Sequence, residues 1–156
     1  MLPKYHFYLG LLFSLLAWLL FPSIGFIGFS LIYLSSFFLD FDHYLYYVYQ
    51  KHDLSLKNAY SWFIKKGRFL CSLTIKQRQQ YKKPIIIFHG IEFWSILIIL
   101  SFFYPIISFV IFGIFIHIAT DLIHFIYVKE PLYSKLSQIS TYKRNKGKKE
   151  IIFPFL

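Results

Sequence analysis

The stretch "IISFVIFGIFIHIATDLIHFIYV", residues 106–128, decides how the chain is read. It is longer than the roughly 20 apolar residues a bilayer crossing needs. It also holds three ionisable side chains, His117, Asp121 and His124. In lipid, backbone groups must be satisfied within the segment, so the stretch predicts a helix. On a helix, positions three or four apart share a face. His117, Asp121 and His124 are spaced in that way. A charge at membrane depth costs about 2.5 to 3.5 kcal/mol on insertion scales, so such residues are usually paired and functional.

Working outward, three more apolar stretches appear. The first covers about 7–21. Lys4 before it resembles a signal peptide, but no small-residue cleavage site follows, and a second apolar stretch begins directly after "FPSIG". That second stretch runs from Ile24 through "DFDHYLYYVY" to about residue 48, its Tyr-rich end suited to a membrane–water boundary. The third covers 85–103 and is separated from the last, 106–128, by a short turn. The fold expected is all-α: a multi-pass membrane protein with about four transmembrane helices in one domain.

The composition agrees. Hydrophobic residues make up 57% and aromatic residues 23%, and the mean hydropathy is +0.54, which is outside the range of an ordinary soluble domain. The net charge of +10 would suggest nucleic acid in a soluble chain. Here the basic residues lie outside the apolar runs, and membrane topology with anionic headgroups accounts for them better. No specific nucleic acid is expected, and membrane lipids are the expected partners. The single cysteine, Cys71, excludes an intrachain disulfide.

The loop 50–84 holds nine Lys or Arg and one acid, Asp53, and the tail 129–156 holds seven basic residues. Within the loop, "SLKNAYSWFIKKG" (55–67) reads as a short amphipathic helix capped by Ser55 and ended by Gly67. It is expected on the membrane surface or packed against the helix ends. The tail is expected solvated or drawn to headgroups. Basic loops stay inside, so both termini and the loop are placed on the cytoplasmic side of the cell membrane, and the two hairpin turns outside.

That map gathers the ionisable residues. Asp40, Asp42 and His43 close the second span, His89 and Glu92 open the third, and Asp121 and His124 close the fourth. All lie at the cytoplasmic end. His117 is deeper, roughly 16 Å from Val128 at ~1.5 Å per residue. Asp42 would point away from Asp40 and His43 on an ideal helix, joining them only where the helix frays, or orienting a histidine from behind. His6 and His52 read as ordinary structural histidines.

Imidazoles and carboxylates at one level suit a divalent metal: zinc first, with manganese and magnesium as alternatives. The candidate ligands are Asp40, Asp42, His43, His89, Glu92, His117, Asp121 and His124. They exceed what one zinc needs, which points toward two ions. Asp42 and Glu92 are ligands or catalytic bases for the attacking water.

"FLDFDHYLYY" (38–47), "FHGIEFW" (88–94) and "GIFIHIATDLIHF" (113–125) together resemble the membrane-bound, predicted metal-dependent hydrolases whose bacterial representatives are LexA-regulated inner-membrane proteins. Asp40, Asp42 and His43 match that family's Asp-x-Asp-His element, and His117 with Asp121 its His-x-x-x-Asp element. His89 matches the middle element only as a histidine: the family usually has an Arg-containing stretch and a His-Ser pair where this chain reads "KKPIIIFHGIE". The family is similar, distantly, to zinc-dependent phospholipase C and the P1-type nucleases. The resemblance implies phosphoester hydrolysis, with a lipid headgroup as one candidate substrate. The alternatives are a metal or proton carrier, disfavoured because the outer half holds no ionisable residue, and a non-catalytic membrane scaffold.

Overall fold

A computed structural model describes residues 3–129 and 136–151; the end of the expected tail, 152–156, and the segment 130–135 lie outside the described residues. Among the described residues the regular structure is helical, with no strand and one isolated bridge between Tyr81 and Lys149. The helices are α1 (Pro3–Leu20), α2 (Gly25–Phe38), α3 (Phe41–Lys51), α4 (Leu56–Ser72), α5 (Ile75–Arg78), α6 (Ile91–Phe103), α7 (Ile107–Tyr127) and α8 (Gln138–Asn145). Two stretches are long and apolar enough to cross a membrane, Pro22–Lys51 and Ile107–Tyr127, while Lys4–Leu20 and Ile91–Phe103 are shorter apolar helices.

The centre is a bundle of α1, α2 and α7, with α6 against the other side of α7. Small residues allow the close approach, as they do where no hydrophobic force separates helix from lipid. Gly113 of α7 sits directly on the Ile32 carbonyl and the Ser35 hydroxyl of α2, and Gly10 of α1 sits on Ser36. The buried side chains here are largely polar, including His6, Ser14, Ser36, His117 and Asp121, while Leu19, Phe26, Phe102 and Phe115 face outward.

Three boundaries differ from expectation. The second apolar stretch is not one straight helix: α2 stops at Phe38, and α3 restarts at Phe41 after a turn at Leu39 and Asp40. The third stretch is not helical from residue 85. Pro84 precedes it, and the amides of Ile86 and Phe88 bond to the Gln138 side chain at 2.8 Å and to Asp42 at 3.0 Å, so they are lost to helix formation. A short 3₁₀ turn, Ile87–His89, leads into α6. The loop helix starts as expected, with Ser55 Oγ accepting from Asn58 N, but runs past Gly67 to Ser72. An interior glycine costs only about 1 kcal/mol, and the next strong stop is the Thr74 capping box of α5.

α4 packs on α3 through Tyr47, Ala59 and Trp62. The tail also folds back. Lys82 and Lys149 pair through their backbones, Asn145 holds both backbone groups of Lys83, and Lys82 pairs with Glu150 at 2.7 Å.

Under this layer lies Lys66, only 7% exposed. Burial pushes its ammonium down to about 8; Lys83 and Lys51 add repulsion, and Glu150 opposes it. A lowered lysine destabilises the fold while charged. The penalty is complete below about 8 and is relieved as pH rises toward 10.5, because only the unfolded chain then holds the proton. Lys66→Met is therefore expected to exceed wild type in stability by up to about 3 kcal/mol at neutral pH, with the gap closing as pH rises. Denaturation of both proteins across that range checks this, and a gap that does not change with pH contradicts it.

Candidate metal centre

Five elements bring polar side chains to one buried point. α7 contributes His117 and Asp121 from one face, and α1 contributes His6. The turn between α2 and α3 contributes Asp40, the first turn of α3 gives Asp42 and His43, and the 3₁₀ turn before α6 gives His89. Leu39 and Asp40 keep right-handed helical dihedrals, the amide of His43 bonds the Asp40 carbonyl at 3.0 Å, and Asp40, Asp42 and His43 all reach the cluster.

The hydrogen bonds assign the proton on three of the imidazoles. His117 Nδ1 lies 2.8 Å from the Ser36 carbonyl; a carbonyl only accepts, so Nδ1 carries the hydrogen. His89 Nδ1 lies 3.1 Å from the Asp42 carboxylate and donates to it. Thr120 uses its hydroxyl hydrogen on the His117 carbonyl at 2.7 Å. Its oxygen must then accept from His6 Nδ1 at 3.0 Å. In the neutral form of each ring, Nε2 is then a lone pair. All three point inward. His89 Nε2 and His117 Nε2 stand 3.1 Å apart, within hydrogen-bonding distance of each other. His6 Nε2 is buried with no hydrogen bond and faces Asp121 Oδ1 at 3.4 Å and Asp40 Oδ2 at 3.8 Å. Lone pairs facing each other and facing carboxylates repel. A cation at the centre reverses that sign.

The spacing fits such a cation. Asp40 Oδ1 lies 3.6 Å from both His89 Nε2 and His117 Nε2, and Asp121 Oδ2 lies 3.6 and 3.8 Å from the same nitrogens. With the 3.1 Å between the two nitrogens, the edges average about 3.5 Å, and a tetrahedron of that size has its centre about 2.2 Å from each corner, at the long end of zinc bonds to nitrogen or oxygen. Asp40 and Asp121 each turn their other oxygen toward His6, so the two carboxylates face both sides of the cluster. The His6 ring stacks on His117 with centroids 3.8 Å apart. His43 Nδ1 meets Asp40 Oδ1 at 3.2 Å and Asp42 Oδ1 at 3.1 Å. His6, Asp40, His43, His89, His117 and Asp121 thus form overlapping groups that can hold a metal ion. His43 and Asp40 are the partly exposed members, at 24% and 18%, and mark the open side.

Asp42 stands behind the donors. One oxygen holds His43, and the other holds His89 and the Phe88 amide. The remaining expected ligands lie elsewhere. Glu92 receives Ser137 Oγ at 2.6 Å and the amides of Gln138 and Ile139 at 3.1 and 3.2 Å; it caps the start of α8, where a carboxylate complements the helix dipole. His124, half-buried one turn beyond Asp121, is not in any of the three donor groups. His6 is the donor that sequence reading set aside. Its signal is long-range, since the residues it meets, Thr120 and Asp121, both come from α7. Comparison with family models, with curated proteins and with solved structures found no match, so the cluster is judged on its own geometry.

Proposed function

We propose that the protein is a multi-pass membrane hydrolase that uses a divalent metal, zinc for preference, to cleave a phosphoester at the cytoplasmic face. The observation that carries this reading is the fixed direction of three imidazole lone pairs, from His6, His89 and His117, toward two shared carboxylates. Nitrogen donors favour zinc over magnesium. Carboxylates shared between two sets of histidines suit a pair of ions, which bind and polarise a phosphoryl oxygen and lower the pKa of water. Asp42 serves as the positioning carboxylate for His43 and His89. Water and substrate reach the site from the side opened by Asp40 and His43. Glu92 serves α8 in this reading, and His124 flanks the centre.

The membrane reading is supported by the apolar exterior of the stretches 7–21, 24–48, 85–103 and 106–128, where Leu19, Phe26, Phe102 and Phe115 face outward while ionisable His6, His117 and Asp121 are buried. α6 is only 13 residues long, about 20 Å, and needs the preceding Ile85–Ile87 segment to approach bilayer thickness. The basic loop and tail face the cytoplasm and attract anionic headgroups. The resemblance in "DFDH" and "HIATD" supports the same activity.

Elemental analysis of detergent-purified protein is expected to give one or two transition-metal ions per chain, with hydrolysis of a chromogenic phosphoester that a chelator abolishes and zinc restores. Protein that takes up no stoichiometric metal after reconstitution with zinc or manganese overturns the proposal.

A further inference from the structure

His6 and His117 come from α1 and α7, yet their rings stack almost parallel, 12° apart in plane with centroids separated by 3.8 Å. Each is held from behind through Nδ1, His117 by the Ser36 carbonyl at 2.8 Å and His6 by the Thr120 hydroxyl at 3.0 Å. Both present Nε2 to the same two carboxylates. His117 Nε2 lies 3.6 Å from Asp40 Oδ1 and 3.8 Å from Asp121 Oδ2. His6 Nε2 lies 3.8 Å from Asp40 Oδ2 and 3.4 Å from Asp121 Oδ1. Each carboxylate therefore gives one oxygen to each ring. Two near-parallel rings that face the same way aim their Nε2 atoms at two points about as far apart as the rings themselves. Two-metal sites hold their ions ~3.5–4 Å apart.

The two points are not alike. The one before His117 also receives His89 Nε2, which lies 3.6 Å from both Asp40 Oδ1 and Asp121 Oδ2. Two imidazoles and two carboxylate oxygens surround it. The one before His6 has a single imidazole and the other oxygen of each carboxylate. His43 lies nearer the open side and groups with Asp40 and His89 instead. His6 Nε2 is itself buried and makes no hydrogen bond, and buried polar atoms left in that state are rare in finished interiors.

We propose that the centre takes two divalent ions in order: the first between His89, His117, Asp40 and Asp121, the second before His6, bridged to the first by the same two carboxylates. This rests on the metal reading above and goes beyond it by giving His6 an ion of its own and by ranking the two. Four protein donors complete the coordination of a zinc ion, whereas three leave a position for water. The His6 ion is therefore the weaker of the pair and the one with a free position. Two divalent ions against two ligating carboxylates leave a surplus of positive charge, which suits an anionic phosphoryl group.

The test strips the detergent-solubilised full chain with a chelator and titrates it with cobalt, which adopts the tetrahedral geometry of zinc and carries unpaired electrons. Bound metal and electron paramagnetic resonance are followed together. Wild type is expected to take up two ions, the second at least about tenfold more weakly, since even an outer partner of a ligand is worth 10–100-fold. The first should give the signal of an isolated ion, and the second should attenuate it by coupling through the carboxylates. His6→Phe keeps a ring against His117 but offers no donor; it should bind one ion at near wild-type affinity and show no coupling. His43→Ala should still couple two. Wild type that saturates at one ion, or binds two of equal affinity, overturns the inference and leaves the metal reading standing; the wild-type titration decides alone if His6→Phe does not fold. Coupling that survives in His6→Phe, or is lost in His43→Ala, overturns it too. Wild type that binds no ion removes the metal reading and this inference with it.

Discussion

Asp121→Asn is expected to emerge from purification without metal. Asp121 gives one oxygen to the side held by His89 and His117, at 3.6 and 3.8 Å, and the other to His6, at 3.4 Å. A neutral amide keeps the volume but offers a single weak oxygen donor, and cannot serve both sides. Outer partners of metal ligands are worth 10–100-fold in affinity, so loss of a direct, shared ligand should cost about 100-fold or more. Hydrolysis should fall to background. Zinc added at about 1,000 times its dissociation constant should stabilise wild type by about 4 kcal/mol and leave the variant unmoved. Glu92→Gln is the informative contrast. It removes the charge at the start of α8 while leaving the donor cluster intact, so it should retain metal and loosen the C-terminal strap. The two variants together separate the cluster from the cap, and equal metal loss in both would place Glu92 among the ligands after all.

The largest purely structural effect should follow Gly113→Ala. A single added methyl at this position meets the Ile32 carbonyl, which is backbone, as well as the Ser35 hydroxyl. Backbone is on both sides of the clash, so α2 and α7 must separate. Overpacking of this kind costs about 3 kcal/mol. The damage should also reach the metal centre. His117 is one turn along from Gly113, and its hydrogen bond to Ser36 at 2.8 Å spans the same helix pair. Gly67→Ala, an exposed position where an added methyl meets nothing, should instead be neutral or stabilising by up to about 1 kcal/mol. Chemical denaturation checks both, and a Gly113→Ala protein within error of wild type would refute the close-contact account.

These contrasts show what was legible from residues alone. The helix over 107–127 was, because an apolar run of that length allows few other structures and because His117 and Asp121 lie one turn apart. So were the members from three separate segments, since Asp40, His43, His89, His117 and Asp121 stand out as ionisable side chains in or beside apolar runs, and the structure groups them. The break at Leu39 and Asp40 was not legible. No proline or glycine marks it, and it is set by what the side chains gain on reaching the cluster. Nor was the unwinding of 85–90, where the competing partners of the backbone, Gln138 and Asp42, come from distant parts of the chain. His6 reads as an ordinary histidine because no other acid or histidine stands near it in the chain; its partners, Thr120 and Asp121, lie more than a hundred positions away. Glu92 looked like a ligand through its spacing from His89, while its actual partners are in a tail that carries no apolar signal.

The interruption after Phe38 has one further consequence. It joins the bundle of α1, α2 and α7 to the packed pair α3 and α4. At the joint, Asp40 faces His6 and His117 of the bundle, while Asp42 and His43 meet each other, and Asp42 holds His89. An ion held there acts as a rivet through a hinge, fixing the angle at which the outer layer sits on the bundle. Emptying the centre should therefore be felt beyond it, as faster amide exchange in α4, a helix that supplies no ligand.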